Sequence, residues 1–471
     1  MKILFVSSEA LPYSSSGGLG DVSAALPKEI SRSAGTDIRV ILPLYRDIKE
    51  RFTGQLEFMG QISVRLSWRN LYCGIYTAIN DGVKYYFIDN EYYFFRRMLY
   101  GEYDDGERFA FFSKAILDVL PFIDFFPDIL HANDWQTAAS VIYLKTLYSS
   151  LAEYNKIKCV FTIHNLDYRG CIDISAFYDV FGFPQNAMEQ VCLGGGINLV
   201  NGAIHYTDII TTVSPTYAEE IRRSEFSGEL FGVINDNYNK LYGIINGIDT
   251  DYYSPEKDDD ITANFSSSNI SGKETDKRLL QGLCGLPIKE DIPVFCLVSR
   301  LTGHKGIDLV TAILDILLEK ELQIIILGTG EKRYEEYLLN KAKQYSNRLN
   351  VNIKYDKSFS KKIYAGSDIF LMPSLREPCG VAQMIASRYG TVPVVRKTGG
   401  LADTISESED NKNGFVFENY DAGELLRAIE RAISEYSNVE KWVNLVRRVM
   451  KVDFSWKSSA EKYLQIYEKI L

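Results

Sequence analysis

A chain of 471 residues, 46% of them hydrophobic and 24% charged, holds more apolar material than one ordinary core takes up, and this implies two domains. A formal net charge of -10 disfavours nucleic acid and anionic membrane as partners, since both are negative, while a neutral polymer is not repelled. Seven scattered cysteines (Cys73, Cys159, Cys171, Cys192, Cys284, Cys296, Cys379) without CxxC spacing argue for reduced thiols in a cytoplasmic protein, against disulfides or zinc, and no window approaches the roughly eighteen apolar residues of a membrane span.

The opening MKILFVSSEA has a short apolar run ended by serines, which reads as a β-strand rather than a signal peptide. It leads into SSEALPYSSSGGLGDVSAALPKEI, a glycine-rich turn followed by a helix with Val22, Leu26 and Ile30 at helical spacing. Gly17 and Gly18 leave room for backbone amides to approach a phosphate, toward which the helix start directs its positive end. The same glycines serve equally as packing devices between strand and helix. Further short runs follow with helical segments between them: DIRVILP, KYYFID, KCVFTI, DIITTV, then PVFCLVS, LQIIILG, DIFLMP and TVPVV. This alternation predicts an α/β protein whose parallel sheets are covered by helices on both faces. The pattern restarts near Lys240, so one doubly wound domain is expected over 1–243 and a second over 244–455. Between them, DDDITANFSSSNISGKETDK is a solvated loop, and SSAEKYLQIYEKIL at the end reads as a helix.

Ligands of open parallel sheets sit beyond the carboxyl ends of the strands, and two sheets facing each other would create a cleft. In the second half, VSRLTGHKGIDLV places Arg300 and Lys305 directly after a strand. Two preorganised cations there can stabilise the charge growing on a departing nucleoside diphosphate without a metal; the plain alternative is a solvated helix start. For His304 between them the surface reading is favoured. The segment LMPSLREPCGVAQMIASRYGT repeats the strand, loop and helix order: Glu377 precedes the loop, Cys379, Gly380 and Val381 offer backbone amides, and Val381 to Tyr389 reads as a helix. A carboxylate beside such amides suits a sugar and its phosphate, although a glutamate at a helix start is commonly a cap and Cys379 alone reads as structural.

Other segments complete a pattern over nearly the whole length: YYFIDNEYYF from Tyr85, YGEYDDGERFAFFSKAIL from Tyr100, HANDWQTA from His131, FTIHNLDYRG from Phe161, TTVSPTYAEEI from Thr211, IINGIDTDYY from Ile244 and RKTGGLADT from Arg396. With them the chain resembles the ADP-glucose-type bacterial glycogen synthases and plant starch synthases, retaining glycosyltransferases with two Rossmann-like domains facing across a cleft, the fold called GT-B. The resemblance implies transfer of glucose from ADP-glucose to the non-reducing end of an α-1,4-glucan, with no cofactor and no metal. It implies that Glu377, with Cys379, Gly380 and Val381, binds the donor glucose; that Arg300 and Lys305 hold its diphosphate together with the amides of Gly17 and Gly18 in the Ser15-Ser16-Gly17-Gly18 turn; and that His164, Asn165 and Asn246 contact the sugar. It places Asp134 near the acceptor or the reacting centre, Asp21 near the donor, Tyr355 on the nucleobase, and the helix 456–471 back on the first domain. Retention is expected by a front-face route in which the leaving diphosphate helps take the acceptor's proton. The DTD at 249–251 and DDD at 258–260 match a metal-binding pattern of another glycosyltransferase fold but lie in polar sequence, and no metal site is expected.

Three places bear on the comparison with related sequences. Ser15-Ser16 stands where Lys-Thr is usual, removing a cation; Gln136 stands in NDWQ where HDWH is common; and Ile385 occupies the place of a second glutamate used by related glycosyltransferases, as expected for the glycogen synthase branch. The Ser15 change keeps two other readings open, a catalytically weak or silent glucan-binding paralogue and a transferase of the same fold that uses UDP-glucose.

Overall fold

The computed structural model describes every residue, Met1–Leu471, as two compact units: Met1–Asn246 with Trp456–Leu471, and Gly247–Ser455.

The strands of the first unit are β1 (Lys2–Val6), β2 (Asp37–Pro43), β3 (Glu57–Leu66), β4 (Arg69–Asn80), β5 (Val83–Asp89), β6 (Ile129–Asn133), β7 (Lys158–Ile163), β8 (Cys171–Ile172), β9 (Cys192–Leu193), β10 (Gly196–Asn198), β11 (Ile209–Thr212) and β12 (Leu241–Gly243). Nine of them form one sheet in the order β12-β11-β7-β6-β1-β2-β5-β4-β3, and β8-β10-β9 form a small antiparallel sheet. Central strands such as β1 and β7 are continuous apolar runs because helices bury both faces. The expectation of a wholly parallel sheet is corrected at its edge. There β4 runs antiparallel to both β3 and β5. These edge strands alternate, with Val64 and Leu66 buried and Ser63 and Arg65 exposed, so a search for unbroken apolar runs passes over them.

The second unit carries β13 (Val294–Val298), β14 (Gln323–Leu327), β15 (Leu349–Asn352), β16 (Ile369–Met372), β17 (Val392–Arg396) and β18 (Phe415–Phe417), all parallel in the order β15-β14-β13-β16-β17-β18. In each unit the strand order reverses once, at β1/β6 in the first and β13/β16 in the second, and a doubly wound sheet binds its ligands at such a switch point.

The division falls three residues beyond the one expected from sequence, for a local reason. After β12, Ile244 N donates to Thr212 O at 2.8 Å, and Ile245 O accepts from Ser459 Oγ at 2.5 Å, so residues 244–246 stay with the first sheet. The terminal helix, Trp456–Ile470, packs on the helix Gly18–Ser31, and Tyr467 anchors it with its hydroxyl 2.6 Å from His131 Nδ1.

Candidate functional site

At the switch point of the second unit, β13 is followed by a single 3-10 turn, Gly303–Lys305, and Gly306. Only glycine fits at 306, since φ is +74° and a Cβ would lie 2.1 Å from Pro373 O. This close approach seats Lys305 beside the loop that follows β16. There Lys305 Nζ donates to Glu377 Oε2 at 2.6 Å, and Ser374 Oγ donates to the same oxygen at 2.9 Å. Glu377 is only 7% exposed, so its carboxylate is held by two donors in a poorly solvated setting while Oε1 makes no protein hydrogen bond. Arg300 is exposed and its guanidinium has no protein partner; His304 is exposed, and its carbonyl accepts Leu375 N at 2.9 Å.

The Glu377 loop is seated on the glycine pair of RKTGG. A Cβ on Gly399 would lie 2.0 Å from Glu377 O, and one on Gly400 would lie 2.0 Å from Cys379 O. Gly400 N donates to the carbonyls of Glu377 and Pro378, each at 3.1 Å. Lys397 of this motif turns away to Glu418 at 2.9 Å, so it supplies no cation to the loop. Gly380 (φ +72°) lets the chain turn into the helix Ala382–Arg388, with Val381 at its N-cap and Gln383 Nε2 donating to Cys379 O and Gly380 O at 3.2 and 3.1 Å. Cys379 and Ile385 are buried, and Tyr355, just after β15, is 80% exposed with its ring open.

Apart from the exposed Asp259, the aspartates of DTD and DDD are committed to turns and ion pairs. Asp249 Oδ1 accepts the amides of Asp251 and Tyr252, and Asp251 pairs with Lys257 at 3.0 Å. Asp258 and Asp260 share Lys361 at 3.1 and 3.2 Å, and Asp258 also accepts Tyr389 OH. No group of three or more His, Cys, Asp or Glu is arranged to hold a metal.

In the first unit, Asp134 follows β6 with φ +56°, an unusual conformation for a non-glycine residue. Its Oδ1 accepts His164 N at 2.7 Å, with the Asn165 amide also donating, so the HN step after β7 folds over the carboxylate. Burial pushes the Asp134 carboxyl up to about 7, against the opposing effect of those two amides. His164 Nε2 lies 2.9 Å from Asn133 Oδ1, and Asn133 Nδ2 already donates to Val6 O at 2.9 Å. Asn133 Oδ1 is therefore an acceptor, Nε2 carries the imidazole proton, and Nδ1 keeps a lone pair. Burial pushes His164 down to about 3, which leaves the ring neutral. Asn165 turns its Oδ1 onto Asp167 N at 2.9 Å. Asn246 is buried and its Oδ1 has no partner, an acceptor that a hydroxyl would satisfy.

Sequence reading missed Glu9. It is 2% exposed and its Oε2 accepts Ser16 N at 2.5 Å, with the Gly20 amide also contributing. The Glu9 carboxyl thus already takes backbone amides at the start of the helix Gly18–Ser31, where the sequence pointed to an anion. Gly17 and Gly18 remain exposed, with open space where a Cβ would stand. Ser15 is exposed and donates to Gly17 O at 3.0 Å, Ser16 is exposed, and burial raises the Glu9 carboxyl above its usual range, with Asp21, in the first turn of the helix, adding a smaller push. Gln136 is buried with Oε1 unpartnered.

A cation and a carboxylate joined at the switch point of one doubly wound sheet, with a second such sheet in the chain, mark the two-domain GT-B class of glycosyltransferases. The family model described as Starch synthase catalytic domain matches residues 2–236, and that of Glycosyl transferases group 1 matches residues 285–449. A glycogen synthase of Clostridium botulinum is 46% identical over 476 aligned residues, covering 100% of this chain and 99% of its own; one of Bacillus cereus is 44% identical and covered in full on both sides. The catalytic domain of starch synthase IV from Arabidopsis thaliana, solved bound to ADP and acarbose, superposes with a TM-score of 0.90 at 34% identity over 99% of each chain. A sucrose-phosphate synthase from Thermosynechococcus elongatus, at 15% identity and a TM-score of 0.62, shares the fold. The chain belongs to the glycogen synthase and starch synthase family of glycosyltransferases. No helix is long and apolar enough to cross a membrane.

Proposed function

We propose that this chain elongates an α-1,4-glucan, moving glucose from ADP-glucose to the non-reducing end with retention of configuration. The observation that carries the reading is the Lys305 to Glu377 contact of 2.6 Å at the carboxyl ends of β13 and β16. An ammonium has three N–H donors, and with one on Glu377 the others are available to the oxygens of a diphosphate. Arg300, unpartnered, supplies the second cation, and together they stabilise the leaving group as its charge grows. Glu377 Oε1 accepts from a hexose hydroxyl, the amides of Cys379, Gly380 and Val381 donate to the same sugar, and Tyr355 stacks on the base. In the first unit, His164 Nδ1 and the orphaned Asn246 Oδ1 accept from sugar hydroxyls. Asp134 in its ionised form accepts from the acceptor glucan. The Gly17 and Gly18 amides, with Ser15, Ser16, Asp21 and Asn165, are assigned to the donor. The diphosphate itself takes the acceptor's proton.

Adenine as the base is supported by the ADP in the Arabidopsis relative. Equimolar ADP-glucose and UDP-glucose supplied with a malto-oligosaccharide primer test this: ADP is expected as the main diphosphate released, and a predominance of UDP would overturn the donor assignment. One observation favours a silent paralogue instead, since the Ser15 hydroxyl is turned onto Gly17 O and brings no charge. Release of neither diphosphate above blank would establish that second reading.

A further inference from the structure

Lys305 and Glu377 hang on two separate turns, and their contact lasts only while both turns keep their places. One bond joins the turns directly, Leu375 N to His304 O at 2.9 Å. Behind it stands Arg396, the last residue of β17. Its Nε donates to Ser374 O at 2.9 Å and its Nη2 donates to Leu375 O, so one planar fork holds the two carbonyls just before Glu377. The same guanidinium lies 5.9 Å from the ring centroid of Tyr420. Tyr420 in turn donates to Asp308 Oδ1 at 2.5 Å and sits 3.0 Å from Gly303 O, the first residue of the turn that ends in Lys305. A continuous path therefore runs from the carboxylate loop, through Arg396 and Tyr420, to the lysine turn.

We propose that Arg396 and Tyr420 are positioning residues that set the separation of Lys305 and Glu377. The inference rests on the reading of that pair as the donor's anchor. Neither side chain is needed for contact with the ligand. Each acts by adding a hold on backbone beside the Leu375–His304 bond, and a displacement of about 1 Å in a catalytic group costs on the order of a hundredfold in rate. Serine, threonine or lysine at 396 cannot reproduce the fork, and phenylalanine at 420 keeps the ring while losing the hydroxyl.

The test is a pair of double-mutant cycles on the full chain, read by kcat and KM for ADP-glucose and, separately, by ADP affinity in a calorimeter. Tyr420→Phe is expected to lower kcat/KM about three- to tenfold, the worth of one hydrogen bond. In a Lys305→Ala background the same change is expected to cost less than about twofold, because the ammonium it places is gone. Arg396→Lys is expected to cost about tenfold or more, and this loss should shrink likewise in a Glu377→Gln background. A merely structural role would instead give the same loss in both backgrounds, and that additivity overturns the inference, as does an unchanged kcat/KM in both single variants. Should either variant fail to fold, as judged by its thermal transition, the other decides. If the wild-type chain releases no diphosphate, the proposed function falls, while the cycles read by ADP affinity still decide the strut; a wild-type chain that binds no ADP overturns both.

Discussion

Glu377→Gln separates the chemistry of the second unit from its stability. The substitution keeps the shape of the side chain, and the amide oxygen can still accept from Lys305 Nζ and Ser374 Oγ, which approach to 2.6 and 2.9 Å. What is lost is the negative charge, so two charge-assisted bonds become ordinary ones. Because Lys305 is about one-fifth exposed and can be solvated in the variant, the folding cost is about 1–2 kcal/mol. In a unit of this size that lowers the thermal midpoint by about 2–8 °C. The effect on turnover is larger if Glu377 Oε1 grips the hexose as positive charge develops on it, since a charge-assisted bond strengthened in the transition state is worth about 1.5–3 kcal/mol, or roughly ten- to a hundredfold in kcat. Initial rates of diphosphate release on a glucan primer, measured beside thermal unfolding of the same preparation, check both numbers. A variant with kcat within twofold of the parent and an intact thermal transition would show that the carboxylate does not touch the reacting sugar.

Ser15→Lys restores a cation where the family usually has one, and Gly20, whose own Cβ would lie 2.6 Å from that of Ser15, needs no adjustment because lysine keeps the same Cβ. KM for the donor is expected to fall about tenfold or more, and an unchanged KM in a folded variant would count against donor contact at this position. Asp134, held near 7 by burial, should impose an acid limb on kcat/KM, with activity rising as pH passes through about 7 and the carboxylate ionises. Asp134→Asn should lack that limb, and its persistence would assign the titration to another group. His131, buried against Tyr467 and held near 3 in place of 6.5, binds fewer protons folded than unfolded, so its contribution to stability is complete above about pH 6.5 and is lost as pH falls toward 3. His131→Gln should therefore flatten the loss of stability between about pH 6 and 4 by up to about 1.4 kcal/mol per pH unit, and equal slopes for variant and parent in denaturant titrations would refute the assignment.

Much of the architecture was legible along the chain. KILFV, DIRVILP and KCVFTI are β1, β2 and β7 residue for residue, because a strand covered on both faces is mostly apolar over its buried length. The strand β6, ILHAN, escaped notice because His131 and Asn133 interrupt its run. Both are polar for reasons that lie elsewhere in the fold: His131 meets Tyr467, 336 positions away, and Asn133 orients His164. Nothing in SSEALP marks Glu9, which is buried because the loop through Ser16 folds back over it.

The order of residue types along the chain decides local matters: which runs are strands, where glycines permit a turn, and where Arg300, Lys305, Glu377, Asp134 and His164 fall just after strands. Those depend on short-range sterics and on the covering of apolar faces. Which charged groups then meet depends on contacts between distant segments, such as the 72 positions separating Lys305 from Glu377 and the glycine pair of RKTGG pressed against the Glu377 loop. Partnership, burial and protonation belong to the folded chain because each is set by the distance to groups that sequence proximity does not bring together.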